Sequence, residues 1–360
     1  MSAVATYFSD FLANIRLPDD LREELKKAHT ELREHLKSDD ITKDLLVDSF
    51  LQGSYARATC IKPDAGHKVD VDVIAVTNID NKTTTPEEAF EQIIPFVQKY
   101  YDVFEQQRRS IGIELEKVNV DLVITAAPSE EVKREIRTAN LYENFTIDDI
   151  STYNVRSANA LQSFFHTDGM NKAWQAEPLL IPDSEDNKWY RTHPLEQIRW
   201  TRSKNQRCFG HYVNVVKALK WWKRVNMKGI EEPKSYPLEH FIGKCCPDAI
   251  TSVAEGIVET LDCIVRHYPT KPYLEDHGVP EHDVFKNLTE EEYRVFYDAV
   301  KKAVPIARKA YECKDVGESV KLWRVFFGNC KEFPDYNGPV NSGFTPRTQK
   351  TEELPTGRFG

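Results

Sequence analysis

The sequence predicts an α+β protein with two lobes, a mixed sheet with helices in residues 1–200 and a helical lobe in 201–335. Two short β-branched runs, 69–77 and 118–124, alternate in the manner of strands. Between 21 and 36, leucine and alanine recur at helical spacing, behind a proline and two aspartates that favour a helix start. A chain of 360 residues is long enough to bury a core in each lobe.

Composition narrows the possible functions. The net charge of −9 argues against a broad nucleic-acid-binding surface and therefore favours small nucleotides over an extended nucleic acid. No apolar run approaches the ~18 residues of a membrane span, and no signal peptide is recognisable, so we expect a cytoplasmic protein without a membrane partner. The seven cysteines lack the spacing of a disulfide framework, which predicts free thiols.

The stretch from 51 to 74 carries the strongest functional signal. In the run 69–74, Asp70 and Asp72 stand two residues apart, so a β pleat places both carboxylates on one face. Two such carboxylates repel each other unless a cation lies between them, and Mg²⁺ is held by carboxylates together with nucleotide phosphates. Upstream, Gly53 and Ser54 suit the close approach of a phosphate, and 55–58 is predicted to open a helix whose amides face it.

A third acid completes the predicted metal site. Asp121 lies in the other β-branched run, where it could sit on a strand adjacent to the first pair. Three acids are what two metal ions need if one activates a nucleophile while the other stabilises a leaving group. Taken alone, Asp121 is better interpreted as an ordinary exposed strand residue, and it is the combination with Gly53-Ser54 and the aspartate pair that favours a metal site.

These motifs resemble a known superfamily. Gly53-Ser54, Asp70-x-Asp72 and Asp121 are similar to the signature of polymerase-β-type nucleotidyltransferases. The longer sequences around these motifs, 53–61 and 70–73, resemble those of the bacterial cyclic-oligonucleotide synthases (CD-NTases). These enzymes are relatives of cyclic GMP-AMP synthase and oligoadenylate synthase, and they signal in anti-phage defence. The resemblance implies a polymerase-β-like core, a helical lobe and a long N-terminal spine helix that bridges both. Ala58 departs from the glycine that many members carry.

The resemblance also implies nucleotide-binding residues. In the run 205–225 a cationic stripe lies on a partly apolar predicted helix, which is usually a solvated face. The family has a lysine on this helix and a serine in the next segment that contact the donor phosphates. The matching candidates, together with those of the Gly-Ser motif, are Gln52, Gly53, Ser54, Lys217, Lys220 and Ser235.

The last stretch, 336–360, is predicted to be a flexible tail. It is polar and rich in helix breakers, so it cannot bury enough surface to order itself. In the resembling family a ubiquitin-ligase-like (E1/E2-like) partner joins the C-terminal glycine to other molecules, and Gly360 suits that use. A frayed terminus is the alternative.

The expected activity is the condensation of nucleoside triphosphates, ATP with GTP as a further candidate, into a cyclic di- or trinucleotide that reaches a downstream effector. Two Mg²⁺ ions at Asp70, Asp72 and Asp121 are the expected cofactors, and Mn²⁺ could replace them. The alternatives are a nucleotidyltransferase that tails RNA or modifies tRNA or protein, and an inactive scaffold. The bases, ring size, linkage, activation and oligomeric state stay open at this stage.

Overall fold

The computed structural model describes residues 3–139 and 177–338. Eleven helices and nine strands occur in these ranges. The helices are α1 Ala3–Asn14, α2 Asp19–Ser38, α3 Gly53–Ala56, α4 Pro86–Tyr100, α5 Glu130–Ala139, α6 Pro194–Arg207, α7 Tyr212–Asn226, α8 Ser235–Cys245, α9 Val253–His267, α10 Glu290–Glu312 and α11 Val316–Phe326. The strands are β1 Leu46–Gln52, β2 Val69–Thr77, β3 Phe104–Gln106, β4 Ile111–Glu114, β5 Val118–Ala126, β6 Leu179–Asp183, β7 Lys188–Thr192, β8 Glu275–Asp276 and β9 Val279–Asp283.

Seven of the strands form one mixed sheet. Its main path runs β1-β2-β5-β4-β3, with β6 joined to the end of β5 and β7 joined to β6. Strands β2 and β5 pair in parallel, whereas their other neighbours pair antiparallel. The mixed sheet predicted for the first part of the chain is therefore present, and its two central strands are the two runs that alternate in the sequence.

One face of the sheet is covered by apolar packing. Val71 and Val73 of β2 are fully buried on that face, in the same hydrophobic cluster as Leu25 and Leu32 of α2. Helix α4 begins with a capping box, in which Thr85 and Glu88 satisfy each other's backbone N–H groups. Because alternate residues of a strand face opposite ways, the acids between the buried valines are left on the open face.

The N-terminal helix α1 packs against the helical lobe, which the sequence did not predict. Phe8 lies edge-on to Trp323 at 5.0 Å, and Phe11 lies 4.3 Å from Phe327 between ring centroids. The predicted spine helix is α2, and it packs on the sheet. The two N-terminal helices together therefore span both hydrophobic clusters, with Leu17 already in the cluster of the sheet.

The helix predicted within 205–225 is present as α7, Tyr212–Asn226, and it carries both lysine candidates. Helix α6 precedes it, and the two helices are separated where Phe209 and Gly210 adopt left-handed φ angles of 49° and 84°. The helix expected to open at 55–58 is the single turn α3, which begins at Gly53 and ends at Ala56. Two residues after α3, Ala58 adopts φ 58°, a region that favours glycine, which is the residue that the family resemblance leads us to expect there.

Part of the chain that the sequence marks as polar and aromatic, 145–176, lies outside the described residues. The tail beyond residue 338, including Gly360, lies outside them as well. Within 3–139 and 177–338, no helix combines the length and the apolar character of a bilayer-spanning segment.

Candidate active site

Strands β2 and β5 bring the three predicted acids together. Asp72 lies in register with Asp121, and Asp70 lies in register with Asn119 two residues earlier. Because paired positions on neighbouring strands share a face of the sheet, all three carboxylates lie on one face. The predicted placement of Asp121 beside the aspartate pair is confirmed, and its catalytic role stays a prediction.

The acids line a cleft of about 660 Å³ between the sheet and helices α7 and α8. Most of the residues singled out in the sequence meet there. They are Gln52, Gly53, Ser54, Asp70, Asp72, Asp121, Lys220 and Ser235. Lys217 is not among the described residues that line the cleft. Both halves of the predicted site, one from the sheet and one from the helical lobe, thus face a common space.

Gly53 is required by its contact with the catalytic strand. Its φ is 77°, and a Cβ at this position would lie 1.8 Å from Oδ2 of Asp72. A larger residue would therefore displace the carboxylate. The group that Gly53 approaches here is a carboxylate of the same chain, and the predicted approach of a phosphate stays a prediction.

The electrostatics of the acids favour a cation. Burial raises the pKa of Asp72, while Arg57 opposes this rise and Asp70 adds to it. Burial, followed by the charges of Asp72 and Asp70, raises the pKa of Asp121 to about 7. Each acid thus makes the ionisation of its neighbours more costly, and a bound cation would relieve that repulsion.

The donor set fits a hard divalent cation. Carboxylate oxygens are the ligands that Mg²⁺ prefers, usually one or two of them completed by substrate phosphates and water. In the described parts of the chain, no group of three or more His, Cys, Asp or Glu side chains is arranged to hold an ion by itself. Asp70, Asp72 and Asp121 are therefore suited to hold metal ions jointly with a bound triphosphate.

Asn119 orients one of the acids, and the sequence reasoning missed it. Its Nδ2 donates a hydrogen bond to Oδ1 of Asp70 over 2.8 Å. A signal was present in the sequence, because residue 119 precedes Asp121 by two and a pleat places both on one face. Hydrogen bonds of this kind fix the orientation of a metal ligand.

A buried charge cluster joins the Gly-Ser turn to the helical lobe, and it was also missed. Glu239 of α8 accepts hydrogen bonds from Nε of Arg57 at 3.1 Å and from Oγ1 of Thr59 at 2.7 Å. Its other oxygen accepts from Nζ of Lys220 at 2.8 Å. Burial opposes the ionisation of Glu239, but Lys220 and Arg57 outweigh it and lower the pKa to about 2.

The two predicted lysines therefore differ in environment. Lys220 lies in the cleft wall and is held by Glu239 and by the carbonyl of Thr59. Lys217, one turn earlier, has no hydrogen bond or ion pair with the described residues. Burial, with a contribution from Arg16, lowers the pKa of Lys217 to about 8. Of the two lysines, Lys220 lines the cleft and Lys217 is not among the described residues that do.

Comparison with known proteins gives the family. Residues 1–132 match the model of the Second Messenger Oligonucleotide or Dinucleotide Synthetase domain. Over 374 aligned residues the chain is 40% identical to the cyclic AMP-AMP-GMP synthase of Enterobacter hormaechei subsp. hoffmannii (strain UCI 50), and the alignment covers 98% of each protein. The chain belongs to the family of bacterial cyclic-oligonucleotide synthases. The present chain is also 26% identical to the cyclic AMP-AMP-AMP synthase of an Acinetobacter species, and that alignment covers 89% of this chain and 83% of the relative.

Solved structures confirm the fold of the synthase. CdnG of Bradyrhizobium diazoefficiens, solved with GTP, superposes with a TM-score of 0.63 at 10% identity and covers 91% of this chain and 96% of its own. DncV of Vibrio cholerae superposes with a TM-score of 0.59 at 14% identity, covering 90% and 94%. The predicted α+β fold with a mixed sheet and a helical lobe is therefore confirmed. The 40% identical relative and the domain match show that the synthase is a nucleotidyltransferase.

Proposed function

We propose that this synthase condenses ATP and GTP into a cyclic trinucleotide and releases pyrophosphate. The observation that carries the proposal is the placement of Asp70, Asp72 and Asp121 on one sheet face, beside Gly53 and Ser54 in the cleft. The bases are suggested by the cyclic AMP-AMP-GMP synthase that is 40% identical over nearly the whole chain. The same relative favours a ring of three nucleotides over the ring of two that the sequence analysis also allowed.

The donor triphosphate is proposed to lie between the Gly-Ser turn and the helical lobe. Ser54 and Ser235 offer hydroxyl groups from opposite walls of the cleft. An ammonium group has three protons, and Lys220 directs two of them to Glu239 and the Thr59 carbonyl, which leaves one for a phosphate oxygen. Tyr236 also lines the cleft and supplies an aromatic surface for a base.

In the proposed reaction, a ribose hydroxyl of the acceptor attacks the α-phosphorus of the donor. An O–P bond forms, the bond from the α-phosphorus to the bridging oxygen breaks, and pyrophosphate leaves. Two Mg²⁺ ions, held by Asp70, Asp72 and Asp121, would lower the pKa of the attacking hydroxyl and offset charge on the leaving group. Asp121, whose pKa is raised by burial to about 7, is the group that we propose takes the proton of that hydroxyl. Repetition on the linear product closes the ring.

Incubation with labelled nucleoside triphosphates tests this function. The purified protein is mixed with all four triphosphates and Mg²⁺, treated with phosphatase, and analysed by chromatography and mass spectrometry. We expect one small phosphatase-resistant product that requires both ATP and GTP. A long ladder of products would instead support the RNA-tailing alternative, and absence of pyrophosphate release with Mg²⁺ and Mn²⁺ would support the scaffold.

Replacing Asn119 with Ala should weaken metal binding. The substitution removes the hydrogen bond that orients Asp70, and losing such a partner typically costs about 10- to 100-fold in metal affinity or activity. The Mg²⁺ concentration that gives half-maximal pyrophosphate release should therefore rise about 10-fold. Asn287→Ala, in an exposed loop before α10, is the control. An unaltered Mg²⁺ dependence in the Asn119 variant would show that Asp70 keeps its orientation without this contact.

Protein partners are part of the proposal. CdnC of Escherichia coli MS115-1, whose structure is solved in complex with HORMA, covers 91% of this chain with a TM-score of 0.60. From the family resemblance alone, we propose a ubiquitin-ligase-like partner that acts on Gly360 at the end of a flexible tail, 336–360. Deleting Gly360 and measuring conjugation of the protein by that partner tests this proposal. The resemblance also suggests an effector that binds the cyclic product. The cytoplasm, which supplies nucleoside triphosphates, is the expected location.

A further inference from the structure

The helical lobe carries an apolar groove that is separate from the catalytic cleft. The groove has a volume of about 550 Å³ and lies between the end of α7, α10 and α11. Among the residues that the structure describes, none lines both this groove and the cleft. We call it the lobe groove, and the buried side chains of its floor are Trp222, Met227, Ala303 and Phe326.

Exposed apolar side chains form the rim of the lobe groove. Ile230, Val295 and Val325 are 39%, 40% and 48% exposed, and all three line it. They come from three separate segments of the chain, so the fold and not the order of residues brings them together. Single exposed apolar side chains need no explanation, whereas a contiguous apolar patch marks an interaction site. The lobe groove is therefore suited to bind an apolar side chain.

Unpaired charges border the lobe groove. Lys228 follows α7 and Lys302 lies on α10, and both exposed side chains belong to the lining. Neither lysine makes an ion pair or a side-chain hydrogen bond with the described residues. Asp298, one turn before Lys302, also belongs to the lining. A segment with an apolar side chain next to two carboxylates would match the groove in both polarity and charge.

The sequence beyond the described residues contains such a segment. The chain continues from Gly338, the last described residue, to position 360. Glu352 and Glu353 directly precede Leu354, and Lys350 lies two residues earlier, with a charge that suits the acidic member of the groove lining. Of the large apolar residues beyond 338, Leu354 alone has acidic neighbours. The pattern of 350–354 is therefore complementary to the lobe groove.

The described chain brings this segment close to the groove. Asp335 pairs with Arg324 of α11 over 2.8 Å, and the next residue of that helix, Val325, is on the groove rim. The stretch 339–350 has about 12 residues, which span up to roughly 40 Å when extended and about 20 Å on average as a flexible chain. A tether of this length gives a motif an effective concentration of roughly a millimolar, so a weak contact is sufficient.

We propose that the lobe groove binds residues 350–354 of its own chain, with Leu354 against the apolar floor and the two glutamates facing Lys228 and Lys302. Exposed ion pairs contribute little, so the apolar contact supplies most of the affinity and the charges set the register. A docked segment would hold 355–360 beside the helical lobe and restrict how the end of the chain meets a partner. The contact lies outside the cleft and does not depend on the proposed function.

Photochemical crosslinking in the full-length protein tests the contact. The photoreactive residue p-benzoylphenylalanine replaces Leu354, and crosslinked peptides are mapped by mass spectrometry after brief irradiation. Its benzophenone group reacts preferentially with methionine, and Met227 lines the groove. We expect an intramolecular crosslink to Met227 or to residues in 295–306. The same photoreactive residue in place of Phe344, which has no acidic neighbour, is the control and should give a much lower yield of these crosslinks.

Charge reversal distinguishes a specific contact from chance proximity. Lys228→Glu combined with Lys302→Glu should lower the crosslink yield from position 354 by about fivefold, because two attractive pairs become repulsive. Adding Glu352→Lys and Glu353→Lys to that variant should restore the yield, since the charges are then exchanged between the groove and the segment.

Lys301→Glu combined with Lys309→Glu is the matched control, because both lysines are exposed on α10 and lie outside the groove lining. It should leave the yield unchanged. Crosslinks that join two copies of the chain, seen as a doubled mass on a denaturing gel, would overturn the intramolecular contact. Crosslinks outside the groove, or a yield that ignores the reversal at Lys228 and Lys302, would overturn it as well. Crosslinking does not require catalysis, so a protein inactive towards nucleotides would refute the proposed function alone.

Discussion

Asp72→Asn should reduce pyrophosphate release by at least about 1,000-fold, the largest effect we expect from a single substitution on activity. Asp72 lies in register with Asp121 and its Oδ2 lies over Gly53, so it is at the centre of the site. Asparagine has nearly the same shape but lacks the negative charge that holds a divalent cation. Initial rates of pyrophosphate release at saturating Mg²⁺ are the measurement.

The same substitution should not destabilise the fold. Burial raises the pKa of Asp72, so the ionised form that catalysis needs costs more free energy in the folded protein than in the unfolded chain. Removing the charge should therefore leave the melting temperature of the metal-free protein equal or higher, as is common where function costs stability. Asp44→Asn, an exposed aspartate before β1, is the control for both measurements. Pyrophosphate release within about 10-fold of the unmodified enzyme would contradict the assignment of Asp72.

Glu239→Ala should lower the free energy of unfolding by about 3–5 kcal/mol, the largest effect that we expect on stability. Glu239, Arg57 and Lys220 have side chains less than 10% exposed, and the carboxylate pairs with both cations. Truncation leaves two buried positive charges without their partner, whereas Glu239→Gln retains hydrogen-bonding capacity and should cost less. Urea denaturation followed by circular dichroism measures the difference.

A surface ion pair serves as the comparison for Glu239. Glu291 pairs with Arg294 one turn away on α10, where both side chains are about two-thirds exposed. Exposed pairs contribute roughly 0–1 kcal/mol, so Glu291→Ala should have little effect on the urea midpoint. Similar midpoints for the Glu239 and Glu291 alanine variants would show that the buried cluster does not stabilise the junction between the sheet and the helical lobe.

The stabilisation by Glu239 should depend on pH in a defined window. Its usual pKa of 4.5 is lowered to about 2 in the folded protein, where the pull of Lys220 and Arg57 exceeds the opposing effect of burial. A carboxyl with a depressed folded pKa contributes stability above its unfolded pKa, and that contribution disappears as the pH falls towards the folded value. The gap in urea midpoint between the unmodified protein and Glu239→Gln should therefore narrow between about pH 5 and pH 2.5. A gap that stays constant over this range would contradict the assignment.

The sequence by itself determined the central part of the site. The two-residue spacing of Asp70 and Asp72 in an alternating run sets the face on which they lie, because a pleat has a period of two. The same rule applies to Asp121 on a second run of this type. These features depend on local geometry, which the order of residues reveals directly.

Only the tertiary structure decided which distant residues support those acids. Glu239 lies 182 positions after Arg57, and no local pattern marks it as the partner of two buried cations. Helix α1 packs on α11 near the other end of the described chain, where Phe8 meets Trp323. Spacing along a chain fixes the face of a strand or helix, but contacts between separate elements arise from how those elements pack. The acids were therefore readable from the sequence, whereas the groups that orient them became visible only in the fold.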